Sequence, residues 1–229
     1  MSTCTPAPAK ATATVTATGA ATPTPLTWGP KALPVPYAAR WTGEATSMAG
    51  LRVKPDGSGL TYERETPRDR DRHGVLWARI GDAPGAGRPD YRAMHAYRQR
   101  EAVFGLRCQV CGGPAARTAR GWLFLVPAHD SPQSPERETG RDAEGTLTTK
   151  PPVCRPCAEL AIRLCPHLGE PLLIHSRKPR VWGVFGGYCT PAEDGRTLRA
   201  SQDAYHPYGA AGSPWFLASQ AVLELTRCS

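Results

Sequence analysis

The chain has 229 residues, of which 24 are proline and 23 are glycine, and its apolar fraction is 40%. These values favour one loop-rich domain with a modest core. No stretch approaches the roughly 20 apolar residues of a membrane span, and the N-terminus lacks the basic flank and leucine-rich core of a secretory signal. We therefore expect a soluble, cytoplasmic protein without a membrane partner. The net charge of +8 comes mostly from arginine, and asparagine is absent, a composition that fits a GC-rich genome as well as a nucleic-acid partner.

Residues 1–36 form a low-complexity arm of alanine, threonine and proline. Such a segment has too little bulky apolar surface to offset the entropy lost on ordering. We expect the arm to be disordered and residues 37–229 to form a single domain. Short strands are predicted next, at 59–63 and 74–80, and the charge-dense segment 63–73 between them is typical of a solvated loop.

A helix is predicted from Asp90 to Phe104, with Pro89 in its first turn. One flank of this helix is apolar and the other is basic. The basic flank would lay four arginines on the phosphates of a nucleic acid: Arg92, Arg98, Arg100 and Arg107. The alternative is a scaffold helix with a basic side that only faces solvent. We interpret His95, in the same helix, as a packed or surface histidine rather than a metal ligand.

Two Cys-x-x-Cys pairs form the most specific motif, and they consist of Cys108, Cys111, Cys154 and Cys157. Each pair places two thiolates on one short turn, so two pairs complete a tetrahedral Zn²⁺ site. The alternatives are two disulfides or a redox dithiol, but a thioredoxin-type motif needs only one pair, and a cytoplasmic chain favours thiols. The sequence therefore predicts a structural Zn²⁺ as cofactor, in a zinc core of about residues 105–168.

The segments around the pairs predict a knuckle, a hairpin and a helix, in that order. Gly112–Pro114 is a turn, Trp122–Val126 is an apolar strand, and the second pair opens a helix over Ala158–Leu164. This is the order of elements in a treble clef. We therefore predict an α+β fold: a small loop-rich domain built around a treble-clef-like zinc site, with short antiparallel strands and a C-terminal helix.

A second group of potential ligands follows this helix. Cys165 and His167 form a Cys-x-His step that can bind metal, either by replacing one of the four cysteines or by starting a second site with Cys189 or His175. Four thiolates already fill a structural zinc site, so we favour a packing role at the helix end.

The C-terminal part predicts two strands and the final helix. Segments 172–176 and 181–185 are predicted to pair through a basic turn, and Gly186–Gly187 is predicted to end the pattern. The helix is predicted over Ser213–Leu225, with serine as N-cap, proline at the first helical position and an apolar stripe behind them.

A clef with His129 and Asp130 after its apolar strand resembles the HNH nucleases. The resemblance implies that a histidine near this place activates water while further His or Asn residues bind a divalent cation. The chain departs from that pattern, since it has no asparagine, Ala158 follows the second pair instead of a histidine, and the acidic residue follows His129 rather than preceding it. A second ligand would have to come from His167 or His175.

No P-loop, GxGxxG, GxSxG or HExxH motif is present, so no catalytic residue is assigned. Segment 131–150 is polar and contains prolines, which is typical of a mobile loop. The cysteine motifs and their neighbours, from Arg107 to Leu168, resemble a group of uncharacterised actinobacterial proteins that are Streptomyces-like in composition. The likeness covers residues 37–229 and implies a bacterial origin and a zinc core, but no activity.

We therefore expect a non-catalytic, zinc-stabilised binding module that contacts nucleic acid or an acidic protein through its arginine-bearing flank. The alternatives are a divergent HNH-like metal-dependent nuclease and an accessory factor that binds only proteins.

Overall fold

A computed structural model describes residues 25–127, 143–165, 168–169, 171–193 and 197–229 of the chain. Strands account for 40% of the structure and helices for 13%. The prediction of a small α+β treble-clef domain with a C-terminal helix is therefore wrong. The protein is mostly β and is built from several small sheets.

The described residues form seventeen strands and two α-helices. The N-terminal strands are β1 (Thr27–Trp28), β2 (Leu33–Pro34), β3 (Ala39–Trp41), β4 (Thr46–Ser47), β5 (Leu51–Val53), β6 (Leu60–Tyr62), β7 (Leu76–Trp77), β8 (Arg79–Ile80) and β9 (Pro89–Met94). They are followed by α1 (Ala96–Phe104), β10 (Arg117–Thr118), β11 (Gly121–Pro127), β12 (Leu147–Thr148), α2 (Arg155–Leu164), β13 (Pro171–Ser176), β14 (Arg180–Pro191), β15 (Leu198–Ala200), β16 (Ala204–Pro207) and β17 (Phe216–Glu224).

The largest sheet is built around β17. Strand β14 lies antiparallel on one side of β17, while β7 (parallel) and β12 (antiparallel) lie on the other. On its other edge, β14 pairs with β15 and β16. The main core lies against this sheet, and Trp77, Phe216 and Leu223 are fully buried there.

The predicted C-terminal helix is a short 3-10 turn, Ser213–Trp215, followed by β17. Consecutive residues at both ends of β17 are buried, because the strand is central and covered on both faces. A strand of this kind is a nearly continuous apolar run, which periodicity cannot distinguish from a buried helix. The serine and proline that predicted a helix start begin the 3-10 turn instead.

The predicted strands at 172–176 and 181–185 exist, but they do not pair with each other. Strand β13 pairs with β11, and β14 pairs with β17. The glycines of β14 lie within the strand and do not end it. They stand where neighbouring backbones come too close for a side chain. A Cβ on Gly183 would lie 2.1 Å from the carbonyl oxygen of His206, and one on Gly186 would lie 2.2 Å from that of Leu217.

Helix α1 begins six residues later than predicted, since Pro89–Met94 is a strand that pairs with β3. His95 is the N-cap: its Nδ1 accepts a hydrogen bond from the Arg98 N–H (3.3 Å), and its Nε2 lies 2.8 Å from the carbonyl oxygen of Gly81. The imidazole is fully buried, which agrees with the interpretation of His95 as a packed histidine.

Gln99 joins α1 to the central strand. Its Nε2 donates to the carbonyl oxygens of Thr149 (2.6 Å) and Ala221 (2.8 Å), and its Oε1 accepts the Ala221 N–H (2.8 Å). This fully buried side chain thus pairs with β17 as a neighbouring strand would.

The charge-dense segment 63–73 is not simply a solvated loop. Asp69 is buried and accepts hydrogen bonds from Thr66 and from the Arg79 guanidinium, which lower its pKa to about 2 against the effect of burial. Asp71 accepts bonds from the Trp77 indole (3.0 Å) and the Tyr208 hydroxyl (2.7 Å). The two aspartates fix the segment to the core.

A three-stranded sheet, β10–β11–β13, carries the candidate site. Because side chains alternate along β11, Phe124 and Val126 enter the main core, while Leu123 and Leu125 enter a second cluster around the cysteines. One strand therefore connects the two hydrophobic clusters.

Several sequence predictions concern residues outside the described part of the chain. These include residues 1–24 of the N-terminal arm, the residue pair His129–Asp130 and His167. Residues 25–36 of the arm are described, and their strands β1 and β2 form a hairpin whose Trp28 packs edge-on against the buried Trp41.

Candidate metal centre

The first cysteine pair lies on a tight knuckle. The Cys108 N–H donates to the carbonyl oxygen of Gly113 (2.7 Å), and the Gly112 N–H donates to that of Cys108 (2.8 Å). Gly112 has a φ of +72°, and a Cβ there would lie 2.9 Å from the Tyr37 ring. Only glycine fits this position without strain.

The second pair lies at the start of α2. Cys154 is the N-cap residue, its carbonyl accepts the first helical hydrogen bond from the Ala158 N–H (2.9 Å), and Cys157 lies in the first turn. The start of the helix therefore holds both cysteines of this pair on one turn.

Segment 151–153 holds the two pairs together. Pro152 accepts a hydrogen bond from the Gln109 N–H (3.0 Å). Val153 accepts one from the Ala116 N–H (3.1 Å) and donates to Leu123 of β11 (2.8 Å). Backbone bonds therefore tie the knuckle, the hairpin and the entry to α2 into one unit.

The four sulfur atoms all lie within 4.8 Å of one another. The Cys111 and Cys154 sulfurs are 4.0 Å apart, close to the spacing of about 3.8 Å that a tetrahedron with Zn–S bonds of about 2.3 Å requires. All cysteines in the described residues are free thiols. The arrangement fits a single metal ion better than two disulfides.

The surroundings of the sulfurs are apolar. Cys108, Cys111 and Cys157 are at most 8% exposed, and Cys154 is half-buried. Their neighbours in the second cluster are hydrophobic: Val110, Leu123, Leu125, Val153 and Ala158. The group contains four cysteines and no histidine or carboxylate, so it offers only sulfur ligands.

The electrostatics differ among the thiols. Burial would raise the pKa of Cys108, but hydrogen bonds from nearby backbone N–H groups outweigh it and lower the pKa. Burial and the neighbouring sulfurs raise the pKa of Cys111 to about 11 and also raise that of Cys157. Ionisation of Cys111 and Cys157 is therefore unfavourable by itself, and a bound cation would offset the repulsion between the sulfurs.

The other potential ligands lie outside this group. Cys165 is exposed beyond the end of α2, Cys189 is buried in β14, and His175 lies in β13. Among the described residues, none of the three belongs to a cluster that could hold a metal.

Arg98, one of the four predicted nucleic-acid contacts, is buried in an ion pair. Its guanidinium donates two 2.7 Å hydrogen bonds to the fully buried Glu44 and one of 3.0 Å to Asp82. Burial would raise the pKa of Glu44, but Arg98 and two backbone N–H groups hold it below its usual value. Glu44, Asp82 and His95 lie close enough to hold a metal, but Arg98 already pairs with both carboxylates and Arg68 lies 3.8 Å from Asp82.

The other three predicted arginines have different environments. Arg92 is exposed on β9, and Arg107 is exposed and paired with Glu101. Arg100 is half-buried, with its guanidinium 4.6 Å from the centre of the Trp77 ring. The four arginines therefore do not form one free basic flank. Sequence reasoning missed the Glu44–Arg98 pair, because these residues are 54 positions apart and no local motif links them.

Comparisons with protein-family models, curated proteins and solved structures found no match to this chain. Neither helix in the described residues has the length and hydropathy needed to cross a membrane.

Proposed function

We propose that Cys108, Cys111, Cys154 and Cys157 bind one structural Zn²⁺ and that the protein is a non-catalytic, zinc-stabilised binding module. The observation that carries the proposal is the cluster of four free thiols within 4.8 Å of one another. Tetrahedral sites of four sulfurs are typical of zinc or of iron–sulfur centres, and this spacing leaves room for a single ion.

A structural role follows from the ligand number and from burial. Catalytic zinc sites keep a position open for water or substrate, whereas four protein ligands close the coordination shell. Three of the cysteines are buried among apolar side chains. The nuclease alternative depends on His129, which lies outside the described residues, and the cysteine group offers it no oxygen or nitrogen ligand.

Zinc content of purified variants tests this proposal. Wild-type protein should contain one zinc per chain, and Cys154→Ser should lose most of it, because a neutral hydroxyl replaces one thiolate ligand. The matched control is Cys165→Ser, since Cys165 is exposed and lies outside the cluster. Equal zinc content in the two variants would contradict the assignment, and a coloured, iron-containing protein would assign the site to iron.

A further inference from the structure

We propose that an exposed basic face next to the cysteine cluster binds the phosphate backbone of a nucleic acid. The basic face consists of four exposed cations: Arg120, Arg155, Arg177 and Lys178. They come from the β10–β11 hairpin, the first residue of α2 and the turn after β13. The proposal rests on the proposed function only because the metal centre holds two of these elements in place.

Backbone hydrogen bonds place the start of α2 beside the hairpin that carries Arg120. Val153, two residues before Arg155, accepts the Ala116 N–H (3.1 Å) and donates to the carbonyl oxygen of Leu123 (2.8 Å), at the base of that hairpin. Burial lowers the pKa of His175 in β13, and the charges of Arg120 and Arg155 lower it further, which agrees with this placement. No carboxylate is among the groups that affect His175.

Strand register brings the remaining cations to the same end of the sheet. Trp122, two residues after Arg120, lies opposite Ser176 of β13. Gly121 is so close to the Ser176–Arg177 peptide that a Cβ would lie 2.5 Å from the Arg177 nitrogen. Lys178 is the next residue, so the hairpin end and the turn after β13 are side by side.

The four cations of the basic face differ from Arg98 and Arg107 on the α1 side in their ion pairing. None of them forms an ion pair in the described part of the chain, whereas Arg98 and Arg107 are paired with carboxylates. Glu159, the carboxylate of α2, forms no ion pair with Arg155. Clustered like charges without counter-ions repel each other and are relieved by a bound polyanion.

Nucleic acid is favoured over an acidic protein by the composition of this face. Three of its four cations are arginines, and the planar guanidinium fork matches phosphate oxygens. The half-buried imidazole of His175 lies two residues before Arg177 on this side of the sheet. Cations interleaved with aromatic rings are typical of surfaces that contact phosphates and bases together.

Fluorescence anisotropy with zinc-loaded protein tests the proposal. The probes are labelled single- and double-stranded DNA and RNA of one sequence, titrated across a salt series. Arg120→Gln/Arg155→Gln should weaken binding by about tenfold or more at low salt, and it should reduce the slope of log K against log salt by about 1.4 to 1.8. The matched control is Arg92→Gln/Arg107→Gln, which removes the same charge from the α1 side.

The outcomes separate the two basic surfaces. Loss of affinity only in Arg120→Gln/Arg155→Gln supports the basic face. Equal loss in both double variants, loss only in the control, no binding at low salt, or tighter binding to polyglutamate than to any oligonucleotide would each overturn the proposal. Zinc content measured on the same samples shows whether a failure belongs to the metal centre or to the basic face.

Discussion

Replacing Arg98 with methionine should lower the free energy of unfolding by about 3–5 kcal/mol, the usual cost of leaving one member of a buried ion pair without its partner. Glu44 is fully buried and would lose both of its hydrogen bonds from the guanidinium. The same change also removes hydrogen bonds to the carbonyl oxygens of Tyr37 and Ala39, which hold the start of β3 and the residues before it. Chemical denaturation at neutral pH measures the effect.

Two further variants complete the Arg98 experiment. Arg92→Met removes the same charge from an exposed position of β9 and should change the free energy of unfolding by less than about 0.5 kcal/mol. Adding Glu44→Gln to Arg98→Met should recover part of the lost stability, because no buried charge remains without a partner. Nearly wild-type stability of Arg98→Met would show that the Glu44–Arg98 ion pair does not stabilise the fold.

Removing the metal with a chelator should unfold the cysteine unit while much of the β14–β17 sheet persists. The cluster around the cysteines has eight buried residues: three cysteines, two leucines, two valines and one alanine. This core is too small to stabilise the unit without a bound metal. The main core around Trp77 and Phe216 is separate. Hydrogen exchange measures the difference between the two regions.

Hydrogen exchange should change in the cysteine unit much more than in the main sheet. Amides of 108–125 and 151–164 should lose most of their protection after chelation, and β14 and β17 should keep more of theirs. Cys165→Ser in its metal-bound form should match wild type, because Cys165 lies outside the cluster. Unchanged protection across 108–125 after complete metal removal would mean that the unit folds without the ion.

The cysteine unit was the part most accessible from the sequence, because its signals are local. Two Cys-x-x-Cys pairs predicted the cluster, an apolar run predicted β11, and the second pair predicted the start of α2. Each of these features is specified within about ten neighbouring residues, where spacing and turn chemistry act.

The remaining architecture depends on contacts between distant segments. Strand β17 has an apolar pattern that fits a helix as well, and its pairing with β14 and β7 decides between them. Arg98 has the sequence context of a surface arginine, but Glu44 makes it a buried one. The basic face is assembled from three separated segments. The composition therefore predicts an excess of positive charge but not its position in the fold.

X-ray absorption at the zinc edge of purified, metal-loaded protein identifies the atoms bound to the metal most directly. The zinc should have four sulfur neighbours at about 2.3 Å, supplied by Cys108, Cys111, Cys154 and Cys157. Nitrogen or oxygen atoms bound to the zinc, or a protein that takes up no zinc at all, would contradict it.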